Sequence, residues 1–206
     1  MARTYSLMNE LGTPAPDFDL PVANPDASPI GRERVRLADF DRAQVLVVVF
    51  TCNHCPYAQH VEDTFIAMAR EYADRGVSFV AISSNDPSNY PDDSFESMAA
   101  RAREKSYPFP YLFDESQQAA LAYGAVCTPD PFVYDEDRKL VYRGRFDASR
   151  PGMGSSTGKD LREAIDRVLA GELPPESQFP SMGCNIKWKP GNQPAVAAGP
   201  VPSEAA

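Results

Sequence analysis

Six consecutive apolar residues, Val45-Leu46-Val47-Val48-Val49-Phe50, carry no polar alternation, which predicts a central strand covered on both faces. Beyond Pro56 the apolar positions Ala58, Val61, Phe65, Met68 and Tyr72 step by three and four, predicting a helix that closes on Gly76 as its C-cap. Val77 to Ser83 reads as a second strand and Asn85 to Pro91 as a loop. Phe95, Met98, Ala99 and Ala102 mark a second helix, with Pro91 near its first turn. Tyr111-Leu112-Phe113 is a short strand. Asp114 with Gln117 has the form of a capping box for a third helix that carries Ala120, Leu121 and Tyr123 and stops at Gly124. Phe132–Tyr134 and Leu140–Tyr142 flank a polar turn and predict an antiparallel hairpin. A last amphipathic helix runs from about Lys159 to Ala170, with Ser156 or Thr157 as cap.

Strands separated by helices run parallel through crossovers, so the order predicts a mixed α/β sheet with helices on both faces and a closing hairpin. Residues 1–31, rich in Pro, Asp and Asn with an apolar patch at Phe18, read as an N-terminal arm or hairpin. Val35-Arg36-Leu37 reads as a small strand and Ala38-Asp39-Phe40 as a turn. Residues 32–189 form the domain. Residues 190–206 are Ala, Pro, Gly and Ser with almost no bulky side chain, the composition of a disordered tail.

Composition narrows the partners. The chain of 206 residues is 43% hydrophobic and carries a formal charge of −9, which repels phosphates and argues against nucleic acid or an anionic membrane. No apolar run approaches a membrane span and no secretory h-region is visible, so the expected location is cytoplasmic. Four cysteines are too few for a disulfide-stapled secreted fold.

The candidate chemistry lies where the first strand meets the first helix, at Thr51-Cys52-Asn53-His54-Cys55-Pro56. Two thiols at this spacing can form a disulfide or share a metal, and a helix N-terminus stabilises a thiolate. Cys52 suits attack on a disulfide and Cys55 its resolution, while His54 as imidazolium would stabilise the thiolate and raise the potential above the roughly −270 mV of thioredoxin. Tyr57 and Gln59 are near enough in sequence to line the site, but core packing or solvent exposure is the reading preferred for them. Cys127 is open to three readings: a resolving thiol, a metal ligand, or a small buried side chain. Cys184, in a polar late segment, reads as a surface-packed thiol in preference to a resolving cysteine, with Ile186 and Trp188 anchoring its segment. Arg143 and Arg145 read as a solvated hairpin edge in preference to groups that orient an anionic substrate, and His60 as a surface or half-buried helix residue rather than a ligand.

Cys-x-x-Cys at the strand–helix junction, with Cys127-Thr128-Pro129 before the hairpin, resembles the thioredoxin superfamily. Ala15-Pro16-Asp17-Phe18, Tyr123-Gly124, Thr128-Pro129-Asp130, Tyr142-Arg143-Gly144-Arg145 and Gly183-Cys184-Asn185-Ile186-Lys187-Trp188 are similar to its peroxiredoxin-like redoxin branch, related to alkyl hydroperoxide reductase and thiol-specific antioxidant proteins. The resemblance implies a thioredoxin-like fold, a nucleophilic Cys52, a more buried resolving Cys55, a cis-Pro129 facing them and Thr128 placed to bind substrate main chain. Two departures stand out: the strand before the motif has no buried acid to serve Cys55, and no proline stands at the spacing of the peroxidatic Pro-x-x-x-Thr-x-x-Cys pattern. These observations point to a thiol–disulfide oxidoreductase that needs a disulfide or peroxide substrate and a thiol reductant, with no cofactor and no metal. The rivals are a thiol peroxidase resolved by Cys55 or Cys127, and a metal-binding protein using Cys52, Cys55, Cys127 and His54.

Overall fold

The computed structural model describes residues 3–26, 31–175 and 177–194. In chain order the strands are β1 Arg3–Tyr5, β2 Asp19–Pro21, β3 Arg34–Arg36, β4 Val45–Phe50, β5 Val77–Ser83, β6 Tyr111–Phe113, β7 Cys127–Thr128, β8 Asp130–Tyr134, β9 Leu140–Arg143 and β10 Met182–Asn185. The helices are α1 Pro56–Glu71, α2 Phe95–Lys105, α3 Gln118–Tyr123 and α4 Lys159–Leu169. The main sheet has the order β6-β5-β4-β8-β9. Its β4, β5 and β6 are parallel, and β8 and β9 join antiparallel. The fold is thioredoxin-like.

Strand β4 shows why its sequence lacks alternation. Val45, Val47 and Val49 enter a core shared with Phe65 and Met68 of α1, Met98 of α2 and Leu161 and Ile165 of α4. Leu46, Val48 and Phe50 enter a second core with Ala120 and Tyr123 of α3, Phe18, Val35 and Ile186. Both faces of a central strand are dry, so every position must be apolar. Trp188 packs at the edge of that second core, in line with the anchoring expected of it and Ile186.

Helix boundaries differ from expectation where side chains outside the helix satisfy its ends. Helix α1 stops at Glu71 with Tyr72 as C-cap, because Tyr72 turns into the core and tight turns follow it. Gly76 instead leads into β5, at φ +77° over the Gln44 side chain. Pro91 opens a separate 3-10 turn, Pro91–Asp93, and Ser94 caps α2 by accepting the Ser97 N–H. The Asp114–Gln117 capping box does not form. Gln117 sits at φ +64° and donates to the carbonyls of Ser84 and Lys187, while Asp114 accepts the Ala120 N–H. Neither Ser156 nor Thr157 caps α4: Gly158 is the cap residue, and the Asp147 carboxylate takes the Thr157 and Gly158 N–H groups.

A second sheet, β1-β10-β7, was not legible in the sequence. Register pairs Thr4 with Gly183, and Cys184 with Thr128. A Cβ on Gly183 would lie 1.9 Å from the Thr128 carbonyl oxygen, so only glycine admits this approach. Strands β2 and β3 pair as a separate two-stranded ribbon. The expected tail falls largely outside the described residues, at 195–206. Among the described residues no helix is long and apolar enough to cross a membrane.

Candidate active site

Strand β4 ends at Phe50 and the chain turns through 51–55 without helical structure. Cys55 is the N-cap of α1 in extended conformation, and Pro56 holds the first helical position. A residue before proline is steered out of helical geometry, and proline at the first turn removes an N–H that would have no partner. Cys52 therefore lies in the turn ahead of the helix rather than on it.

Thr128 touches both sulfurs. Its Oγ1 lies 3.4 Å from Cys52 Sγ, and its carbonyl accepts from the Cys55 thiol at 3.2 Å. The Thr128–Pro129 peptide is cis. Cys52 is 5% exposed and Cys55 fully buried, so Cys52 is the outer of the pair. Beside it Pro129 lines a cleft with Tyr57, His60, Arg145, Asp147 and Ser181. Gln59 is exposed, and its amide donates to the Asn53 carbonyl at 2.7 Å, bracing the turn.

Cys184 is the third thiol of the site. It is buried and packs with Cys52, Cys55 and Ala58, which overturns its reading as a surface-packed residue. Its strand pairs with Thr128, and the glycine before it lets the backbones close. None of the four cysteines is in a disulfide. Hydrogen bonds from the Cys184 and Cys52 thiols draw the Cys55 thiol down. Burial, the hydrogen bond to Cys55 and the Asp93 charge push Cys52 up; the bond to Cys55 and burial push Cys184 up. Fully protonated, Cys55 donates to Thr128; after losing a proton it accepts from its two neighbours. Of the three thiols, Cys55 is the one whose ionisation its neighbours favour.

His54 does not point between the cysteines. Its Nδ1 lies 2.5 Å from Asp93 Oδ2, its ring stacks on Tyr90 at 4.6 Å, and its buried Nε2 has no partner among the described residues. Asp93 is fully buried and accepts the backbone N–H groups of Asn53 and His54 and the Asn85 amide. This buried carboxylate comes from the loop after β5 and lies beside Cys52 rather than Cys55. One ligand atom each from Cys52, His54 and Asp93 falls within 4.8 Å of the others, and Cys127 is not in that group. No sequence signal separates Asp93 from the turn residues around it.

Cys127 is fully buried, and burial pushes its thiol up. Arg143 is not a solvated edge. It is fully buried, bidentate to Asp130 and stacked 3.8 Å above the Phe132 ring, because its strand packs inward beside the cis-proline. Arg145 bonds Asp160 at 2.7 Å and covers Phe179. His60 is half-buried, with Nε2 at 2.8 Å from Ser149 Oγ.

The AhpC/TSA family model matches residues 11–143. No curated protein matches the sequence. An uncharacterized conserved protein of Geobacillus kaustophilus is 48% identical, with a TM-score of 0.86 over 92% of this chain and 98% of its own. A hypothetical protein of Sinorhizobium meliloti is 45% identical, with a TM-score of 0.86 over 91% of this chain and 100% of its own. A candidate thiol:disulfide interchange protein DsbE of Chlorobium tepidum, 21% identical with a TM-score of 0.58, covers 79% of this chain and 99% of its own; at that identity it bears on the fold alone. With well over half of its length under one family model and a thioredoxin-like sheet around Cys52 and Cys55, the chain belongs to the AhpC/TSA family of redox proteins.

Proposed function

We propose that the chain is a thiol–disulfide oxidoreductase whose redox pair is Cys52 and Cys55. The observation that carries this is the bridging of an outer and an inner sulfur by Thr128, with a cleft opening beside Pro129. Cys52 gives up its proton to solvent, and its thiolate attacks one sulfur of the substrate disulfide. The substrate S–S bond breaks, and the first thiolate leaves and takes up a proton from solvent, while Cys55 stands ready as a thiolate. Cys55 then attacks Cys52 Sγ, which releases the second substrate thiolate to be protonated by solvent and leaves a Cys52–Cys55 disulfide. Two electrons pass to the substrate, and a thiol reductant returns them.

Thr128 and Pro129 shape the edge at which the substrate main chain lies. His54, held by Asp93 and Tyr90, fixes the turn that carries Cys52. A reducing compartment such as the cytoplasm keeps the pair in its dithiol form.

The AhpC/TSA match supports a second reading, in which Cys52 is oxidised by a peroxide to a sulfenic acid that Cys55 resolves. Insulin-disulfide reduction set beside peroxide consumption separates the two, using wild type, Cys52→Ser and Cys55→Ser. The oxidoreductase reading expects insulin reduction that is lost in both variants. Fast thiol-dependent peroxide turnover without insulin reduction would replace it with the peroxidase.

A further inference from the structure

We infer that Cys184 is a third redox-active thiol, and that the oxidised protein passes its disulfide from Cys52–Cys55 to Cys55–Cys184. The inference rests on the reading of Cys52 and Cys55 as the redox pair and adds a residue to it.

Three independent observations converge on this thiol. Cys184 is buried against Cys52, Cys55 and Ala58 in a cluster separate from both main cores. Its position on β10 is fixed by register against Thr128, the residue that contacts both motif sulfurs. The backbone approach that brings it there needs a glycine at 183, since any Cβ would overlap Thr128. The order of contacts then selects the chemistry. Cys55 hydrogen-bonds both other thiols, and its bond is the largest single influence on Cys184. Cys55 is therefore the middle sulfur, the one that an exchange between the outer two must pass through.

The step needs no oxidant beyond the substrate already reduced. In the Cys52–Cys55 disulfide, the Cys184 thiol loses its proton to solvent and its thiolate attacks Cys55 Sγ. The Cys184–Cys55 bond forms, the Cys55–Cys52 bond breaks, and the Cys52 thiolate leaves and takes up a proton. The protein stays oxidised by two electrons throughout. What changes is that the outer thiol is free again while the disulfide lies within the buried part of the cluster. The two-electron oxidised form can therefore still join a substrate through Cys52, as an isomerising or mixed-disulfide species.

The test is disulfide mapping of the full chain. Protein oxidised with one equivalent of a small disulfide is acid-quenched, alkylated in denaturant, digested and read by mass spectrometry. A Cys55–Cys184 linkage, with Cys52 alkylated in the same molecules, is the expected result. In Cys184→Ala the oxidised product should be Cys52–Cys55 alone, with Cys52 protected. Cys52–Cys55 as the sole linkage in wild type, with Cys184 alkylated throughout, would overturn the inference and leave the redox pair intact. Absence of every linkage, with intact fold by circular dichroism, would overturn the pair and the third thiol together. Because the decisive measurement uses wild-type protein, it does not depend on the variant folding.

Discussion

Asp93 Oδ1 accepts the Asn53 N–H at 2.7 Å, so a fully buried carboxylate grips from beneath the turn that carries the outer cysteine. The same carboxylate holds His54 and Asn85 through its second oxygen. A charge in this position has two effects with separate readouts: it orders the turn, and it opposes a second negative charge on Cys52.

Replacing Asp93 with Asn keeps the shape and removes the charge. The pH midpoint for alkylation of Cys52 should move down, since one of the influences raising that thiol is gone. Stability should fall by about 1–3 kcal/mol, because the amide cannot accept all the donors that converge on the carboxylate. An unchanged alkylation profile would show that Asp93 acts on geometry alone.

A charge favoured on Cys55 stabilises the reduced dithiol, which makes the disulfide more oxidising. The Cys52–Cys55 couple should therefore have a potential above the roughly −270 mV of thioredoxin. Equilibration with glutathione redox buffers, followed by intrinsic fluorescence or thiol mass, measures it. A value below that mark would refute the placement of the charge.

The central strand, the helices and the Cys-x-x-Cys junction were legible in the sequence, because apolar periodicity is set by local packing. So was the cis-proline, through resemblance. What stayed hidden depends on side chains meeting across long separations. Asp93 is one acid among turn residues until the loop folds under Asn53. Cys184 looked polar-flanked because the strand that buries it is paired by β1 and β7, which together show only five residues of weak pattern. Arg143 looked solvated because its partner, Asp130, lies on the next strand. Helix ends failed for a related reason: at α4 the Asp147 carboxylate takes the N–H groups a local cap usually takes, and at α3 the Gln117 side chain is drawn away to the carbonyls of Ser84 and Lys187.

Asp147 should give the protein an acid-sensitive step. Burial raises its carboxyl, but hydrogen bonds from Ser149, Gly158, Ser156 and Thr157 outweigh this and hold it well below the usual carboxylate range. With the folded value depressed, the unfolded chain binds more protons, so stability is present above about pH 4 and is lost as pH falls through the folded value. Thermal melts between pH 6 and pH 2 should fall more steeply for wild type than for Asp147→Asn, which should be less stable at neutral pH. Parallel slopes would remove Asp147 from the account.

The Asp130–Arg143 pair has both side chains fully buried. Arg143→Met alone leaves a buried unpaired carboxylate and should cost about 3–5 kcal/mol in urea unfolding. Adding Asp130→Asn should recover part of that loss. No recovery in the double variant would mean that the stacking of Arg143 on Phe132, rather than the charge pair, is what matters.

Gly183→Ala tests the close approach of β10 and β7. The added methyl would overlap the Thr128 carbonyl, so the strands must part. A loss of several kcal/mol is expected, within the range of overpacking at a backbone contact. Wild-type stability in this variant would mean that β10 shifts freely, and the fixed position of Cys184 would no longer follow.

The pairing of Arg3–Tyr5 with Met182–Asn185 also has a temporal side. A chain made from its N-terminus releases Cys52 and Cys55 long before the strand that seals them, and domains gain their structure as synthesis proceeds. During that interval the dithiol lacks its cover, and strand β1 has no partner. Completion of the last strand is thus the moment at which Cys52 and Cys55 become covered.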